Sequence, residues 1–172
     1  MLHWLGAHFL EAMCALCGDV RSVSAISPPV VGNMEPDPRM DDVTALSLLF
    51  ENGAVGALHT GYLNAAAGEN RDFIRVWGTE GDAYWPSLGP TLHVNGRTAA
   101  GGASPAQSHT FELAAREGVY GNKEWMYEIA RRFVRGIRSG TPPEVGPAEG
   151  LRVLRIVDAA YESSQSRRWV DL

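Results

Sequence analysis

Apolar and polar positions alternate most regularly between Asp41 and Tyr62, in DDVTALSLLFENGAVGALHTGY. Two runs of sheet-forming residues flank Asn52-Gly53, the dipeptide best suited to a tight two-residue hairpin turn. With those two residues in the turn, Phe50 faces Val55, Leu48 faces Ala57 and Leu46 faces His59. Side chains alternate across a strand, so these six share one apolar face that should pack on helices. The opposite face carries Val43, Ala45, Ser47, Leu49, Gly56, Leu58, Thr60 and Tyr62. It is mixed and mostly small, suited to another sheet, another subunit or a ligand.

The same reading extends along the chain. Leu5–Cys17 has helical periodicity, with Leu5, Phe9, Met13 and Leu16 in one stripe and Gly18 as the stop. Val20–Ser27 alternates like a strand. Prolines mark a loop from Pro28 to Arg39, and Ala65–Arg71 is a second loop. Strands are expected at Asp72–Gly78, Asp82–Trp85 and His109–Leu113. Asn95-Gly96 predicts another hairpin, between Thr91–Val94 and Arg97–Thr98. Ala99–Ser108 should be exposed. Two helices follow. The first is capped by Asn122, repeats Trp125, Ile129, Phe133 and Ile137, carries Arg135 and Arg138 in its last turn, and stops at Gly140. The second opens on Pro147 and buries Leu151, Leu154, Val157 and Tyr161. Arg167–Leu172 reads as an edge strand. The expected fold is α+β: a single domain over 1–172, with a large, mostly antiparallel, open-faced β-sheet and helices packed on one face.

Composition narrows the function. The net charge is −5, and no basic run interleaved with aromatics occurs, which argues against nucleic acid. No apolar stretch approaches the roughly 20 residues that cross a bilayer, so no membrane partner is expected. Two cysteines, Cys14 and Cys17, and no signal-peptide pattern favour a reducing, cytoplasmic setting.

Candidate chemistry is sparse. No G-x-G-x-x-G, Walker or G-x-S-x-G motif is present, so no cofactor is expected to be bound by this chain alone. His8 and Glu11 lie three apart on the first helix. They read either as a proton-handling histidine oriented by a carboxylate or as a helix-end histidine in a local hydrogen bond. Cys14-x-x-Cys17 lies in an apolar helix and reads as structural, with no metal site. His59 reads as a satisfied core histidine; His93 and His109 carry little signal. Trp77, Trp85 and Tyr62 could line a sugar-sized pocket, although Trp77 also suits the core. Arg131, Arg132, Arg135 and Arg138 form a solvated helix face.

Several segments, in order, resemble the C-terminal domain of the Gfo/Idh/MocA oxidoreductases, the glucose–fructose oxidoreductase and inositol dehydrogenase group. Gly6-Ala7-His8-Phe9-Leu10-Glu11 with Gly18 is similar to the family's G-x-H-x-x-D helix. Asp41–Ala45 through Phe50–Ala54 resembles its central hairpin, and Ile74–Gly81 its "i-x-v-x-G-t-e-G" strand and turn. Gly150-Leu151 through Ser164, with Val170-Asp171-Leu172, resembles its closing helix and strand. The resemblance covers nearly the whole chain. It implies a substrate-binding and oligomerisation domain of an NAD- or NADP-dependent enzyme acting on a sugar, inositol or related polyol. In that family a Rossmann domain binds the cofactor and supplies a lysine from an E-K-P motif; neither corresponds to anything here. His8 matches the active-site histidine. Trp4 stands where an aspartate is common four residues earlier, and Glu11 where aspartate is usual. The candidate substrate contacts are therefore Trp4, Glu11 and Tyr62.

Hydride transfer needs a nicotinamide held against the substrate carbon, so the chain alone should not be a competent dehydrogenase. Three readings stand. The chain is the substrate half of an oxidoreductase, met as a truncated reading frame, with a Rossmann partner. It is a free-standing binding or assembly module. Or it is a cofactor-independent hydrolase using His8. The bare sheet face predicts a homodimer or tetramer, with sheets apposed at about 10 Å.

Overall fold

A computed structural model describes residues 1–28, 41–61, 72–86, 91–96, 108–112 and 124–172. The Pro-rich loop beyond Pro28, the loop at 65–71, Tyr62, Arg97-Thr98 and Asn122 lie outside the described residues. The architecture is α+β; among the described residues all strand pairs are antiparallel and form two four-stranded sheets. The chain divides into two compact units, Met1–Ala65 with Pro142–Leu172, and Ala66–Thr141.

The first unit opens with a π-helical turn, Leu2–Gly6, leading into α1 (Ala7–Cys17). Strands β1 (Val20–Ile26), β2 (Val43–Phe50) and β3 (Val55–Gly61) follow. The long helix α3 (Pro147–Ser166) and the short strand β8 (Val170–Asp171) complete the unit. The sheet order is β3-β2-β1-β8, which places the chain's last strand at an edge. Helices α1 and α3 pack together, and α3 lies against β1. Their common core is Leu2, Leu10, Cys14, Val23, Ala25, Leu46, Leu48, Phe50, Val153, Ile156, Val157 and Ala160.

The hairpin turn differs from expectation by one residue. Phe50 N–H donates to Ala54 O (2.9 Å) and Gly53 N–H to Phe50 O (3.0 Å), closing a three-residue loop, Glu51-Asn52-Gly53. Asn52 Oδ1 accepts from Ala54 N–H (2.9 Å), while its amide donates to Cys17 O (2.9 Å) at the open end of α1. Gly53 takes the left-handed conformation (φ +85°) that this longer loop requires. Leu48 therefore pairs with Gly56, Leu46 with Leu58 and Ala45 with His59. A one-residue slip turns a strand over. Gly56, Leu58 and Thr60 sit half-buried beneath the helices, and Val55, Ala57 and His59 face outward with Ala45 and Ser47. The expected core histidine His59 is exposed.

The helix stripes are rotated as well. Leu10 and Cys14 are the buried positions of α1, and Leu16 is exposed. In α3 the buried row is Val153, Ile156, Val157, Ala160 and Ser163, not Leu151 and Leu154. Ser163 and Ser164 explain part of that choice. Their hydroxyls accept from Ala25 N–H (3.0 Å) and Ser27 N–H (2.8 Å), satisfying donors at and just past the end of β1 where β8 does not reach.

The second unit contains β4 (Phe73–Trp77), β5 (Gly81–Pro86), β6 (Thr91–Gly96) and β7 (Ser108–Glu112), a meander in chain order. Asn95-Gly96 does not turn the chain. It continues β6, with Asn95 between Asp82 on β5 and Ser108 on β7. Helix α2 (Glu124–Ser139) belongs to this unit and ends at Gly140 (φ +67°). Ile129, Phe133 and Ile137 recur as the periodicity predicts, but all three are exposed.

Candidate functional site

His8 and Trp4 lie one helical turn apart, on α1 and on the π-helical turn before it, and both are exposed; Trp4 is 58% accessible. This is the exposed stripe of the element whose other side, Leu10 and Cys14, enters the core. Glu11 is half-buried and turned to α3. Both its oxygens accept from Arg152 Nη2, at 3.1 and 3.2 Å, while Arg152 Nη1 donates to Asp19 at 3.2 Å. Glu11 is thus part of a bridge holding α1, α3 and the start of β1 together, and its carboxylate is committed to Arg152 rather than to His8. Cys14 is buried, and burial raises its thiol pKa, which suits an inert core position.

Beneath the exposed stripe lies a polar cluster that pattern reading does not reveal. Asp41, at the start of β2, is only 7% accessible. Its Oδ1 accepts from the Met1 ammonium (2.7 Å) and from Tyr161 OH (2.6 Å). Its Oδ2 accepts from Leu2 N–H (2.9 Å) and Thr44 OH (2.6 Å). Ser27 completes the chain by donating to Thr44 Oγ1 (2.7 Å). Burial opposes ionisation of Asp41, yet these donors outweigh it and hold the carboxyl down at about 2. Burial and the hydrogen bond to Asp41 raise the Tyr161 pKa, so the phenol stays a proton donor. Tyr161 reads in the sequence as one more large residue on a helix stripe, and Asp41 as a strand-opening polar residue. Only the fold brings residues 120 apart within 2.6 Å.

The aromatic candidates separate. On the second sheet, Trp77 pairs with Asp82 and Trp85 with Ile74, so the two indoles lie on opposite faces and cannot line one pocket. Trp77 is exposed, with the Arg75 guanidinium 5.0 Å from its ring centroid. Tyr62 is outside the described residues.

The starts of α1 and α3 offer no free N–H groups to a dinucleotide. A pyrophosphate needs free N–H groups at a helix start. At α3 the Gly146 N–H already donates to the Glu149 carboxylate (2.8 Å), an anion in the place a phosphate would take. Ahead of α1, Leu2 N–H is committed to Asp41 and the next turn to Met1 O. Among the described residues no three His, Cys, Asp or Glu side chains gather as a metal site requires, and no helix is long and apolar enough to cross a membrane.

Helices on one face of an antiparallel sheet, with a histidine on the exposed side of the first helix, define an α+β domain. Residues 1–172 match the family model described as the oxidoreductase family, C-terminal alpha/beta domain, and the chain belongs to this Gfo/Idh/MocA family. It is similar to the D-apiose dehydrogenases of Rhizobium rhizogenes (27% identical) and Paraburkholderia graminis (25%). Each similarity takes in 98% of this chain but only 47% and 44% of the relative. The chain therefore spans about half the length of the curated relatives it matches. Its fold is also that of levoglucosan dehydrogenase in complex with NADH and levoglucosan (TM-score 0.83, 23% identical, 98% of this chain and 49% of the other). An oxidoreductase from Agrobacterium radiobacter in complex with NAD+, L-tartaric acid and magnesium gives a TM-score of 0.78 at 22% identity, over 99% and 48%.

Proposed function

We propose that this chain is the substrate-side and assembly half of an NAD- or NADP-dependent oxidoreductase acting on a sugar or related polyol, with the nucleotide held by a Rossmann domain. The observation that carries this reading is the family match over the full chain, set against relatives about twice as long. D-apiose is a sugar, and both curated relatives are dehydrogenases of it. The exposed stripe of α1 supplies the chemistry such a domain needs: an aromatic face at Trp4 for sugar C–H surfaces and an imidazole at His8 for proton transfer to or from a hydroxyl. Glu11 supports that stripe from below through Arg152. The outward face of the first sheet, with Ile26, Ala45, Ser47, Val55, Ala57 and His59, is the candidate surface for a second copy.

Titration of the chain with D-apiose, followed by nuclear magnetic resonance, tests the reading. Millimolar binding should move the Trp4 indole and His8 imidazole signals, and His8→Ala should leave the fold intact while weakening the response. Calorimetry with NAD and NADP should show no binding. Micromolar affinity for either nucleotide would overturn the division of labour, and turnover without cofactor that is lost in His8→Ala would favour a hydrolase instead.

A further inference from the structure

We infer that Asp41, supported by Tyr161 and Thr44, is a positioning residue that holds the π-helical turn before α1 and thereby keeps Trp4 and His8 on one exposed stripe. The inference rests on the proposed reading of that stripe as the substrate side. A π-helical turn is wider than an α-helical one and is rarely stable by itself; where it occurs it is held from outside, often at functional sites. Here the turn consists of Leu2–Gly6, and Trp4, Leu5 and Gly6 N–H groups all converge on one acceptor, Met1 O, at 3.1, 3.0 and 3.3 Å. One carbonyl serving three donors leaves the turn under-determined by its own hydrogen bonds.

The outside hold is the Asp41 carboxylate. Its Oδ2 takes the Leu2 N–H at 2.9 Å, fixing the backbone two residues before Trp4. The carboxylate is itself located from two other elements, by Tyr161 on α3 (2.6 Å) and Thr44 on β2 (2.6 Å), with Ser27 just past the end of β1 backing Thr44 (2.7 Å). Leu2 and Thr44 are fully buried, so water does not compete for these bonds. Gly6 closes the turn from the other side. A Cβ there would stand 2.8 Å from Leu2 Cδ1 and 3.6 Å from Thr60 Cγ2 of β3. Strands β2 and β3 and helix α3 thus fix one short turn, although the turn contributes little apolar area beyond Leu2. Its exposed product is the pair Trp4 and His8.

Amide exchange and the D-apiose titration, both on the full chain, separate this inference from the reading it rests on. Tyr161→Phe keeps the ring and removes one donor to Asp41; Asp41→Asn keeps the shape and removes the charge. Both should speed exchange of the Leu5 and Gly6 amides: Tyr161→Phe about tenfold, the cost of one buried hydrogen bond, and Asp41→Asn by more, because its amide would face two of the four donors and leave the buried Met1 ammonium without a carboxylate. The amides of β2 should lose far less protection than those of the turn. The sugar-induced shifts at Trp4 and His8 should shrink at least severalfold in both variants, and Asp41→Glu should recover part of the response. Unchanged exchange at Leu5 and Gly6 in Tyr161→Phe would overturn the clamp, whatever the titration shows. Faster exchange with an undiminished sugar response would overturn its link to the site. A wild-type chain whose Trp4 and His8 ignore D-apiose would sink the substrate-side reading and the positioning role together, while the exchange data would still report the clamp. Should Asp41→Asn fail to fold, Tyr161→Phe carries the test.

Discussion

The two four-stranded sheets are held by different physics. In the first, the inward row of β1 and β2, Val23, Ala25, Leu46, Leu48 and Phe50, is shut beneath two helices. In the second, none of the described residues of β4–β7 is buried. Contacts between side chains on the surface of that sheet do the work instead. Arg75 lies over the rings of Trp77 (5.0 Å) and Tyr84 (5.8 Å), Tyr84 stacks on His93, and Arg75, Asp82, Asn95 and Ser108 form a hydrogen-bonded row across all four strands. Burial of a large side chain is worth a few kcal/mol, a cross-strand pair a few tenths to about one. The stability of the chain is therefore concentrated in the sheet that carries α1.

The strongest way to break this contrast is to truncate one aromatic in each sheet. Phe50 is 1% accessible and belongs to the core that the two helices cover, so Phe50→Ala should cost about 3–5 kcal/mol and unfold the first unit under mild urea. Trp77→Ala should cost under about 1 kcal/mol, because the ring is 71% exposed. Equal losses in the two denaturation curves would erase the distinction. The second sheet has one rigid point. A Cβ on Gly81 would lie 2.1 Å from the backbone oxygen of Asn95, which cannot move without parting β5 from β6. Gly81→Ala should cost about 2–3 kcal/mol, read as lost exchange protection in β5 and β6 with β1 and β2 unaffected.

How far the sequence anticipates the structure follows the same division. Most strand positions were legible, since period-two alternation does not depend on what covers a sheet; the exception is Asn95-Gly96, read as a turn, which continues β6. The faces were less so. Asn52-Gly53 suits a two-residue turn, but its side chain is drawn to the open carbonyl at Cys17, and the longer loop turns β3 over. No local pattern contains that pull from a helix end. Leu151 and Leu154 are as apolar as Val153 and Ile156; β1 selects the second pair by demanding the Ser163 and Ser164 hydroxyls. His8 and Trp4 were candidates through family likeness, whereas the Asp41 and Tyr161 pair depends on the tertiary fold alone.

Acid sharpens the comparison next. Asp41 sits at about 2 in the folded chain against roughly 3.9 for an unfolded aspartate, so the folded state binds fewer protons between those values. Its contribution, about 2 kcal/mol, is complete above about pH 4 and is lost as pH falls through about 2. Stability of the first unit should decline over that window, followed by β2 amide exchange. Asp41→Asn should start lower and flatten the slope. A slope unchanged in the variant would place the acid sensitivity elsewhere.

The smallest effect is expected where the second sheet looks most elaborate. The Arg75 guanidinium approaches Asp82 at 3.3 Å and two aromatic rings, but it is 43% exposed and its carboxylate partner 23%. Water and salt screen an ion pair at that exposure, and an exposed cation–π contact adds about 0.5–1 kcal/mol. Arg75→Ala should therefore cost no more than about 1 kcal/mol, and the part owed to Asp82 should fade in high salt while the part owed to Trp77 persists. Arg75→Lys separates them further, because an ammonium keeps the charge but loses the planar stack over the indole. If Arg75→Ala instead unfolded the second unit outright, the row of polar side chains would be its principal support, and the contrast with the buried sheet would have to be redrawn around hydrogen bonds rather than area.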